Sequence, residues 1–465
     1  MGAALRLHGL FANTFHADEA LFAGWARLVA VWRDPLLLTQ AVDKPPLLFY
    51  LQASFYPLFG PVEWAARMPS LIASLLTIPL TAQLARRLTD DTWAAVLAAL
   101  LVAVSPLAVQ FSATAFSDPL LTFWLLAALY SARRPAPLVA GLLFGFALAT
   151  KYQALLFVPL LVGVVSLGGG GRRYWLRVAA GLLVVMASLV LWQMARPAAG
   201  GLVALQWANI GGVRPAYSWE LLLRLIDHAR LWPLALGWPV VALGAVAALG
   251  LVGLARVRSR SQPIDLMLGL FIIGYLLLHW LWAVPVWDRY LLPILPLVAI
   301  LIARGVSLLW AGLGRQRSIR VVGSALFIIL AVAHLPVVAA AREGRLPIGG
   351  RPNADGGAAV TARLLKDAPY GTVLYDHWYS WHWRYQLFDG RVYVSWFPHA
   401  DALLADLDAF AAQGPPRYVA LPSSDVARPI IRRLLENGYR LEPLDAHIDS
   451  PDMTLYRIIP EVTGE

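Results

Sequence analysis

Acidic residues and two lysines stand in the polar breaks between the apolar runs of this sequence. Charges in the membrane part of a chain are costly and usually functional. A carboxylate there can act as a general base, and a cation can stabilise a phosphate leaving group. A single acid is more often an ordinary water-facing charge, but the whole group favours an active site for an anionic lipid. Its members are Asp18, Glu19, Asp34, Asp43, Glu63, Asp118, Glu220, Asp227, Asp288, Lys44 and Lys151.

The composition indicates that these charges are carried by a membrane protein. Hydrophobic residues make up 59% of the 465 residues, charged residues only 14%, and the mean hydropathy is +0.62. A soluble domain has about 45–50% apolar and about 25% charged residues. The sequence is therefore neither a soluble globule nor a disordered chain. It contains no cysteine, which excludes disulfides, cysteine zinc sites and thiol nucleophiles.

Apolar runs predict about ten membrane spans, some of them short. We place them at 61–85, 92–113, 118–132, 136–150, 153–169, 174–195, 230–255, 264–284, 288–311 and 320–341. Arginines mark every second break, and the positive-inside rule puts those breaks in the cytoplasm. They are Arg86, Arg87, Arg133, Arg134, Arg172, Arg173, Arg177, Arg256, Arg258, Arg260, Arg304, Arg315, Arg317 and Arg320. The net charge of +10 is therefore an orientation signal rather than a surface for nucleic acid.

Three regions follow from this topology. Residues 1–60 form a first outer loop with helices along the membrane surface, 61–342 a transmembrane helical domain, and 350–465 an outer C-terminal domain. Because residues 1–60 lack a signal peptide yet should lie outside, we expect a first membrane helix that precedes Met1 and is missing here. In the last region strands alternate with helices, which predicts a small α/β domain. The predicted elements are strands at 371–375, 417–421 and 453–459 and a helix at 430–437.

Three motifs follow one another near the start of the chain. They are Asp18-Glu19, Lys44-Pro45-Pro46-Leu47 and Ala65-Ala66-Arg67-Met68-Pro69-Ser70. In order and spacing they resemble those of the GT-C glycosyltransferases that use polyprenyl-phosphate sugars. The likeness is to the branch of protein O-mannosyltransferases and lipid A aminoarabinose transferases. It continues more weakly through most of 16–300, at Ser117-Asp118-Pro119-Leu120, Thr150-Lys151-Tyr152 and Asp288-Arg289-Tyr290-Leu291-Leu292-Pro293.

This resemblance implies a polytopic α-helical membrane enzyme of the cell envelope. It would transfer a sugar from a polyprenyl-phosphate donor to a lipid, glycan or protein acceptor, with inversion at the anomeric carbon. The active site and the C-terminal domain would face the extracytoplasmic side of the cell membrane. Donor, acceptor and membrane lipids are the expected partners, without nucleic acid. The sequence leaves the sugar, the acceptor class and the oligomeric state open.

The resemblance also implies roles for three acids. Asp18 would be the general base, although it could instead cap the amphipathic helix predicted over 20–32. Glu19 would position the acceptor or the base. Asp118 would be an active-site acid that orients a sugar hydroxyl or a cation, with the N-cap of its span as an equal alternative.

Four cations are candidates for binding the lipid phosphate. Lys44 is the first, because it is one of two lysines in the membrane part and precedes a rigid Pro-Pro pair; the alternative is an interfacial lysine. Arg67 and Arg289 lie at outer ends of spans, where the positive-inside rule makes arginine unexpected. Either could instead pair with a neighbouring acid, Glu63 or Asp288. Lys151 could contact phosphate or form a structural ion pair.

A metal site and two further functions stay open. The resemblance implies that Asp43 is a second acid or a metal ligand, and His228 and His279 make a divalent ion conceivable, but no compact ligand spacing assigns a cofactor. A transporter or lipid flippase is the main alternative function, and a non-catalytic scaffold is a third. Charges at the outer boundary and the absence of an internal repeat favour the enzyme.

The aromatic run 377–383 is interpreted as a membrane-interface anchor rather than a sugar-stacking platform.

Overall fold

The computed structural model describes most of the chain. The described residues are 2–196, 201–209, 214–254, 262–312, 317–409, 414–444 and 452–461. Four arginines of the predicted cytoplasmic breaks (Arg256, Arg258, Arg260 and Arg315) lie outside these ranges, and the side chains of Arg317 and Arg320 are not among those described. The chain divides into two compact units. One comprises residues up to Ala12 and Trp25–Arg351, and the other comprises Asn13–Gly24 and Pro352–Glu465.

The first unit is helical, as predicted for a polytopic membrane protein. Its helices and single 3-10 turns are Gly2–Arg6, His8–Ala12, the end of Ala17–Ala30, Leu47–Phe59, Glu63–Thr89, Thr92–Val104, Pro106–Gln110, Phe111–Ala113, Asp118–Ala132, Pro137–Thr150, Tyr152–Phe157, Val158–Leu167, Arg172–Met194, Leu202–Asn209, Ser218–Leu236, Trp238–Leu254, Gln262–Leu281, Asp288–Leu291, Leu295–Gly312 and Arg317–Arg342. Within the described residues, five helices are long and apolar enough to cross a membrane, or up to seven if each of two bent pairs is one span. Four shorter apolar helices accompany them.

Two predicted spans are corrected by the structure. The run 92–113 is not one straight helix, because Thr92–Val104 and Pro106–Ala113 meet at a bend of 57°. The run 230–255 is not one helix, because Ser218–Leu236 and Trp238–Leu254 meet at a bend of 104°. Gly237 stands at the bend with φ of +77°, a backbone conformation that glycine adopts without a steric penalty. The hydropathy of the run continues through the bend, so apolar composition gave no sign of it.

Glycines allow two helices of the first unit to pack closely. A Cβ atom at Gly141 would lie 1.9 Å from the carbonyl oxygen of Val178, and one at Gly181 would lie 2.1 Å from that of Leu138. Small residues of this kind let helix backbones approach in membrane proteins, where apolar lipid gives no hydrophobic drive for association. The contact fixes Pro137–Thr150, the helix that ends at Lys151, against Arg172–Met194.

The second unit contains the small α/β domain that the sequence predicts. Its strands are β1 (Thr372–Asp376), β2 (Val392–Trp396), β3 (Arg417–Pro422), β4 (Tyr439–Pro443) and β5 (Met453–Pro460). The sheet order is β2-β1-β3-β5-β4, with β1 parallel to both β2 and β3, and β5 antiparallel to both β3 and β4. Ala358–Thr361 and Ala362–Leu365 precede β1. The helices and 3-10 turns between the strands are Ser380–Gln386, Ala400–Ala409, Asp425–Ala427 and Arg428–Glu436.

Alternating side chains of the strands fill two cores, one on each face of this sheet. On one face Tyr375 and Val419 pack against the helices at 400–409 and 428–436. On the other face Leu374 and Ala420 pack with Trp383 and the elements at 358–365. The sheet is therefore covered by helices on both sides. This burial explains why its interior strands β1, β3 and β5 are rich in apolar residues.

Candidate active site

A buried ion pair joins Asp118 and Lys151. The Lys151 Nζ lies 2.5 Å from Asp118 Oδ1, and the two side chains are only 15% and 1% exposed. Asp118 is the first residue of the helix Asp118–Ala132, where a carboxylate is favoured by the helix dipole. Lys151 directly follows Pro137–Thr150, and its extended backbone (φ −161°, ψ +136°) ends that helix. The two helices form a hairpin, so the start of the first and the end of the second meet.

Arg289, a predicted phosphate-site residue, and its chain neighbour Tyr290 stand beside this pair. Lys151 Nζ lies 4.8 Å from the centre of the Tyr290 ring. The guanidinium carbon of Arg289 lies 4.8 Å from the ring centre of Phe116 and 4.2 Å from that of Trp287. Cations above aromatic faces are stabilised by the ring quadrupole. The short turn Asp288–Leu291 thus presents one cation and one aromatic ring to the ion pair.

The electrostatics of the site are dominated by burial and by neighbouring charge. Lys151 lies in a break between two apolar helices, and burial lowers the pKa of its ammonium group. Asp118 opposes this effect, whereas the positive charges of Arg289 and Lys44 add to it. Lys151 therefore lies within electrostatic reach of two other cations, while Asp118 and Asp43 each form an ion pair with one of the two lysines.

Asp43 and Lys44 form a second pair next to one another in the chain. The Lys44 ammonium contacts Asp43 Oδ2, and the Asn209 side-chain amide donates to the same oxygen at 2.6 Å. The carboxylate and the ammonium are 15% and 24% exposed. The predicted role of Asp43 as a second acid or metal ligand stays a prediction. Within the described ranges, no three His, Asp or Glu side chains come together as a metal site would require.

The loop that leads to Lys44 is fixed by a residue that the sequence analysis did not select. Arg196 is fully buried, and its guanidinium donates to the carbonyl oxygens of Leu37 (2.8 and 3.1 Å) and Gln40 (2.8 Å). Within the loop, Asp34 accepts from the backbone N–H groups of Leu38 and Thr39. Although burial acts to raise it, these bonds and the charge of Arg196 keep the pKa of Asp34 below its ordinary value. No local pattern could have singled out Arg196, because its partners are about 160 residues away.

Substitution of Arg196 by methionine is expected to release this loop. Each lost hydrogen bond to a charged group is worth about 1.5–3 kcal/mol. Hydrogen exchange at residues 37–40 should become faster, and the free energy of unfolding should fall. Arg230→Met is the matched control, because Arg230 is 76% exposed in a surface pair with Asp227. Unchanged exchange at residues 37–40 in Arg196→Met would contradict the role given to this guanidinium.

Arg67 occupies a different environment from the other three predicted cations. Its side chain is 1% exposed, Nη1 donates to the carbonyl oxygen of Leu10 at 3.4 Å, and Nη2 lies 3.9 Å from Glu63 Oε2. The contact with Glu63, one turn earlier on the same helix, is the pairing that the sequence left open. A phosphate contact for Arg67 stays a prediction.

Asp18 and Glu19 belong to the second unit. They lie in the first turn of the helix Ala17–Ala30, after a segment in which the carbonyl oxygen of Phe15 is 3.0 Å from His382 Nε2. Glu19 is buried and accepts the backbone N–H of His16 at 2.9 Å. Asp18 is partly buried and stands inside the helix rather than at its cap. The cap interpretation of Asp18 is therefore wrong, whereas its catalytic role stays a prediction.

Side-chain contacts also decide how Asp118, the aromatic run and two histidines are interpreted. The Asp118 carboxylate makes an ion pair with Lys151 and does not cap its helix. In the aromatic run, Trp383 is fully buried and donates to Asp376 at 3.1 Å, so this part of the run is domain core and not a membrane anchor. His228 and His279 each contact a carbonyl oxygen of their own helix, 2.8 and 2.9 Å away.

Comparisons with known proteins agree with this architecture. The family described as dolichyl-phosphate-mannose-protein mannosyltransferase matches residues 43–195. The fold is similar to that of ArnT from Cupriavidus metallidurans, with a TM-score of 0.67 in the apo state and 16% identity, over 98% of this chain and 96% of that one. A structure of the same protein bound to undecaprenyl phosphate gives a TM-score of 0.63. In fold, and over the part of the chain that these comparisons match, the chain is similar to GT-C glycosyltransferases. The predicted resemblance and the predicted fold class are confirmed.

Sequence relatives of this chain are sugar transferases by name. It is 29% identical over 279 residues to an undecaprenyl phosphate-alpha-4-amino-4-deoxy-L-arabinose arabinosyl transferase of Pseudomonas aeruginosa, which covers 55% of this chain and 47% of the relative. It is 35% identical over 85 residues to the putative mannosyltransferase YycA of Bacillus subtilis, 18% of this chain and 12% of that one. The chain spans about half the length of the curated arabinosyl transferases that it matches. Its apolar helices and these relatives together indicate an integral membrane protein.

Proposed function

We propose that this chain transfers a sugar from a polyprenyl-phosphate donor to a lipid, glycan or protein acceptor at the extracytoplasmic face of the cell membrane. The observation that carries the proposal is the buried Asp118–Lys151 pair beside Arg289 and Tyr290, at the ends of apolar helices. A buried pair alone is ordinary, but crowded cations next to it favour an anionic ligand. In a GT-C chain, a lipid phosphate is the anion that fits.

The cations would act on the leaving group. When the bond between the anomeric carbon and the phosphate oxygen breaks, negative charge grows on the phosphate. Lys44, Lys151 and Arg289 would stabilise this charge electrostatically. Tyr290 would hold the lysine ammonium over its ring while Lys151 exchanges Asp118 for phosphate as its partner.

Acids would act on the two hydroxyl-bearing partners. Asp18 would take the proton of the acceptor hydroxyl as its oxygen attacks the anomeric carbon. The new glycosidic bond forms opposite the bond that breaks, so the anomeric centre inverts and polyprenyl phosphate leaves. Asp118 would orient a sugar hydroxyl, and Glu19 would support Asp18 from the next helical position. Asp43 would hold Lys44 in place through their contact.

The regional assignment forms part of the same proposal. Residues 1–60 would contribute the catalytic acid pair and Lys44, and 61–342 would embed the donor lipid. Residues 350–465 would form a domain on the extracytoplasmic side. The relatives support the donor class, since their names specify undecaprenyl phosphate and dolichyl phosphate mannose. The sugar is left to experiment.

A transfer assay in liposomes with a panel of polyprenyl-phosphate sugars tests the proposal. Wild type is expected to release polyprenyl phosphate from one of them, and Lys44→Met should lower kcat/KM about 100-fold, as loss of one preorganised donor does. Lys366→Met is the matched control, because this lysine of the second unit is exposed. Movement of lipid across the bilayer without transfer would instead favour a flippase, and full activity of Lys44→Met would remove Lys44 from the phosphate site.

A further inference from the structure

Within the first unit, a short segment after the helix Arg317–Arg342 is held in place by one glutamine. We call this segment, Leu346–Gly350, the strap. The Nε2 group of Gln110 donates to the carbonyl oxygens of Leu346 (3.1 Å), Ile348 (3.2 Å) and Gly349 (3.0 Å), and its Oε1 accepts the N–H of Leu346 at 3.3 Å. Gln110 is 2% exposed. A buried amide that makes four contacts to one stretch of backbone gives that stretch a single defined path.

Two glycines bring the strap into this position. A Cβ atom at Gly349 would lie 2.5 Å from Cζ of Phe111, well inside van der Waals contact. At Gly350, φ is +78° and a Cβ atom would lie 2.6 Å from the carbonyl oxygen of Gln110. Both positions therefore require glycine, the first for space and the second for space and backbone conformation.

The strap reaches the candidate phosphate site through Asp288. One carboxylate oxygen, Oδ2, accepts the N–H of Gly349 at 2.9 Å, and the other, Oδ1, accepts the N–H of Arg289 at 2.6 Å. The same carboxylate thus holds the strap and the first peptide of the turn Asp288–Leu291. Beneath the strap, the ring of Phe111 lies 5.8 Å from that of Phe116, on which Arg289 stacks.

We propose that the strap is a positioning element for Arg289 and Tyr290, with Asp288 and Gln110 as positioning residues that act through it. The chain of hydrogen bonds from Gln110 through Gly349 to Asp288 sets the positions of the Arg289 guanidinium and the Tyr290 ring. Only the identity of the ligand, a polyprenyl phosphate, rests on the proposed function. The placement of the turn by the strap is independent of any ligand.

Gly349→Ala in the full chain is the decisive variant. Its Cβ must displace the strap from Phe111, so hydrogen exchange at the amides of Arg289 and Tyr290 should become faster. Gly269→Ala is the matched control, because no atom lies within 4 Å of the Cβ that it adds. Asp288→Asn keeps the size of the side chain but removes its charge, and it serves as the second variant if Gly349→Ala does not fold.

Binding of undecaprenyl phosphate in detergent supplies the second readout. Both strap variants should bind it about 10–100-fold more weakly, since misplacement by about 1 Å has effects of that size. In any transfer assay they should raise KM for the donor more than they lower kcat. Wild-type exchange and binding in both variants, or the same loss in Gly269→Ala, would overturn the strap proposal. If wild type binds no polyprenyl phosphate but exchange at Arg289 still responds to Gly349→Ala, the proposed function fails and the strap proposal stands.

Discussion

Asp18→Asn is expected to lower the rate of sugar transfer by about 10²–10⁴-fold, the usual contribution of a general base. The amide has the same shape but cannot accept the proton of an acceptor hydroxyl. Because Asp18 lies in the first turn of a helix, loss of its charge also removes a favourable interaction with the helix dipole, worth about 0.3–1 kcal/mol. That small loss leaves the protein folded, so rate and stability can be separated.

Asp425→Asn is the control for this prediction. Asp425 belongs to the same unit, and its side chain is 79% exposed in a surface pair with Arg428. It should leave both the rate and the donor KM unchanged. Transfer by Asp18→Asn at the wild-type rate would falsify the assignment of the base. Loss of donor binding instead of rate would mean that Asp18 contacts the donor.

Lys151→Met should strongly destabilise the first unit. It leaves the Asp118 carboxylate buried without its partner, and breaking a buried ion pair in this way costs about 3–5 kcal/mol. The free energy of unfolding in detergent measures the loss. The double variant Lys151→Met with Asp118→Leu should recover most of it, because apolar residues often replace a buried pair without loss.

Recovery of stability in the double variant distinguishes the structural contribution of the ion pair from its proposed role in catalysis. The double variant is expected to be stable and inactive, since it lacks both the cation for the phosphate and the acid for the sugar. Arg230→Met, which breaks an exposed pair, should change stability by only about 0–1 kcal/mol. If Lys151→Met were as stable as wild type, the ion pair could not be the buried contact described for this site.

The strands predicted from the sequence are those inside the sheet. Interior strands β1, β3 and β5 were predicted within a residue or two, because both of their faces are covered and their residues are apolar. The two that were missed, β2 and β4, are the edge strands. An edge strand has less surface to bury, and Tyr439–Pro443 contains arginine, glutamate and proline, which are typical of edges.

The side of the membrane shared by Asp118 and Lys151 was predicted, whereas their ion pair and the residues that support the site were not. Both ends of the hairpin fall in breaks assigned to the same side by charge and hydropathy, but the partner of Lys151 was left open. Gln110 and Arg196 bind backbone carbonyls far away in sequence, and no local period encodes such contacts. The packing of Phe15 near His382, 367 residues apart, is another contact of this kind.

The length of the helical hairpin between Asp118 and Lys151 determines whether these two side chains meet. The hairpin consists of helices of 15 and 14 residues joined by the turn 133–136. One added residue within either helix would rotate everything beyond it by about 100° and advance it by about 1.5 Å. The amino acids along the hairpin can therefore vary widely, provided that they stay apolar and keep the glycine contact. The number of residues between Asp118 and Lys151 cannot change without separating the two side chains.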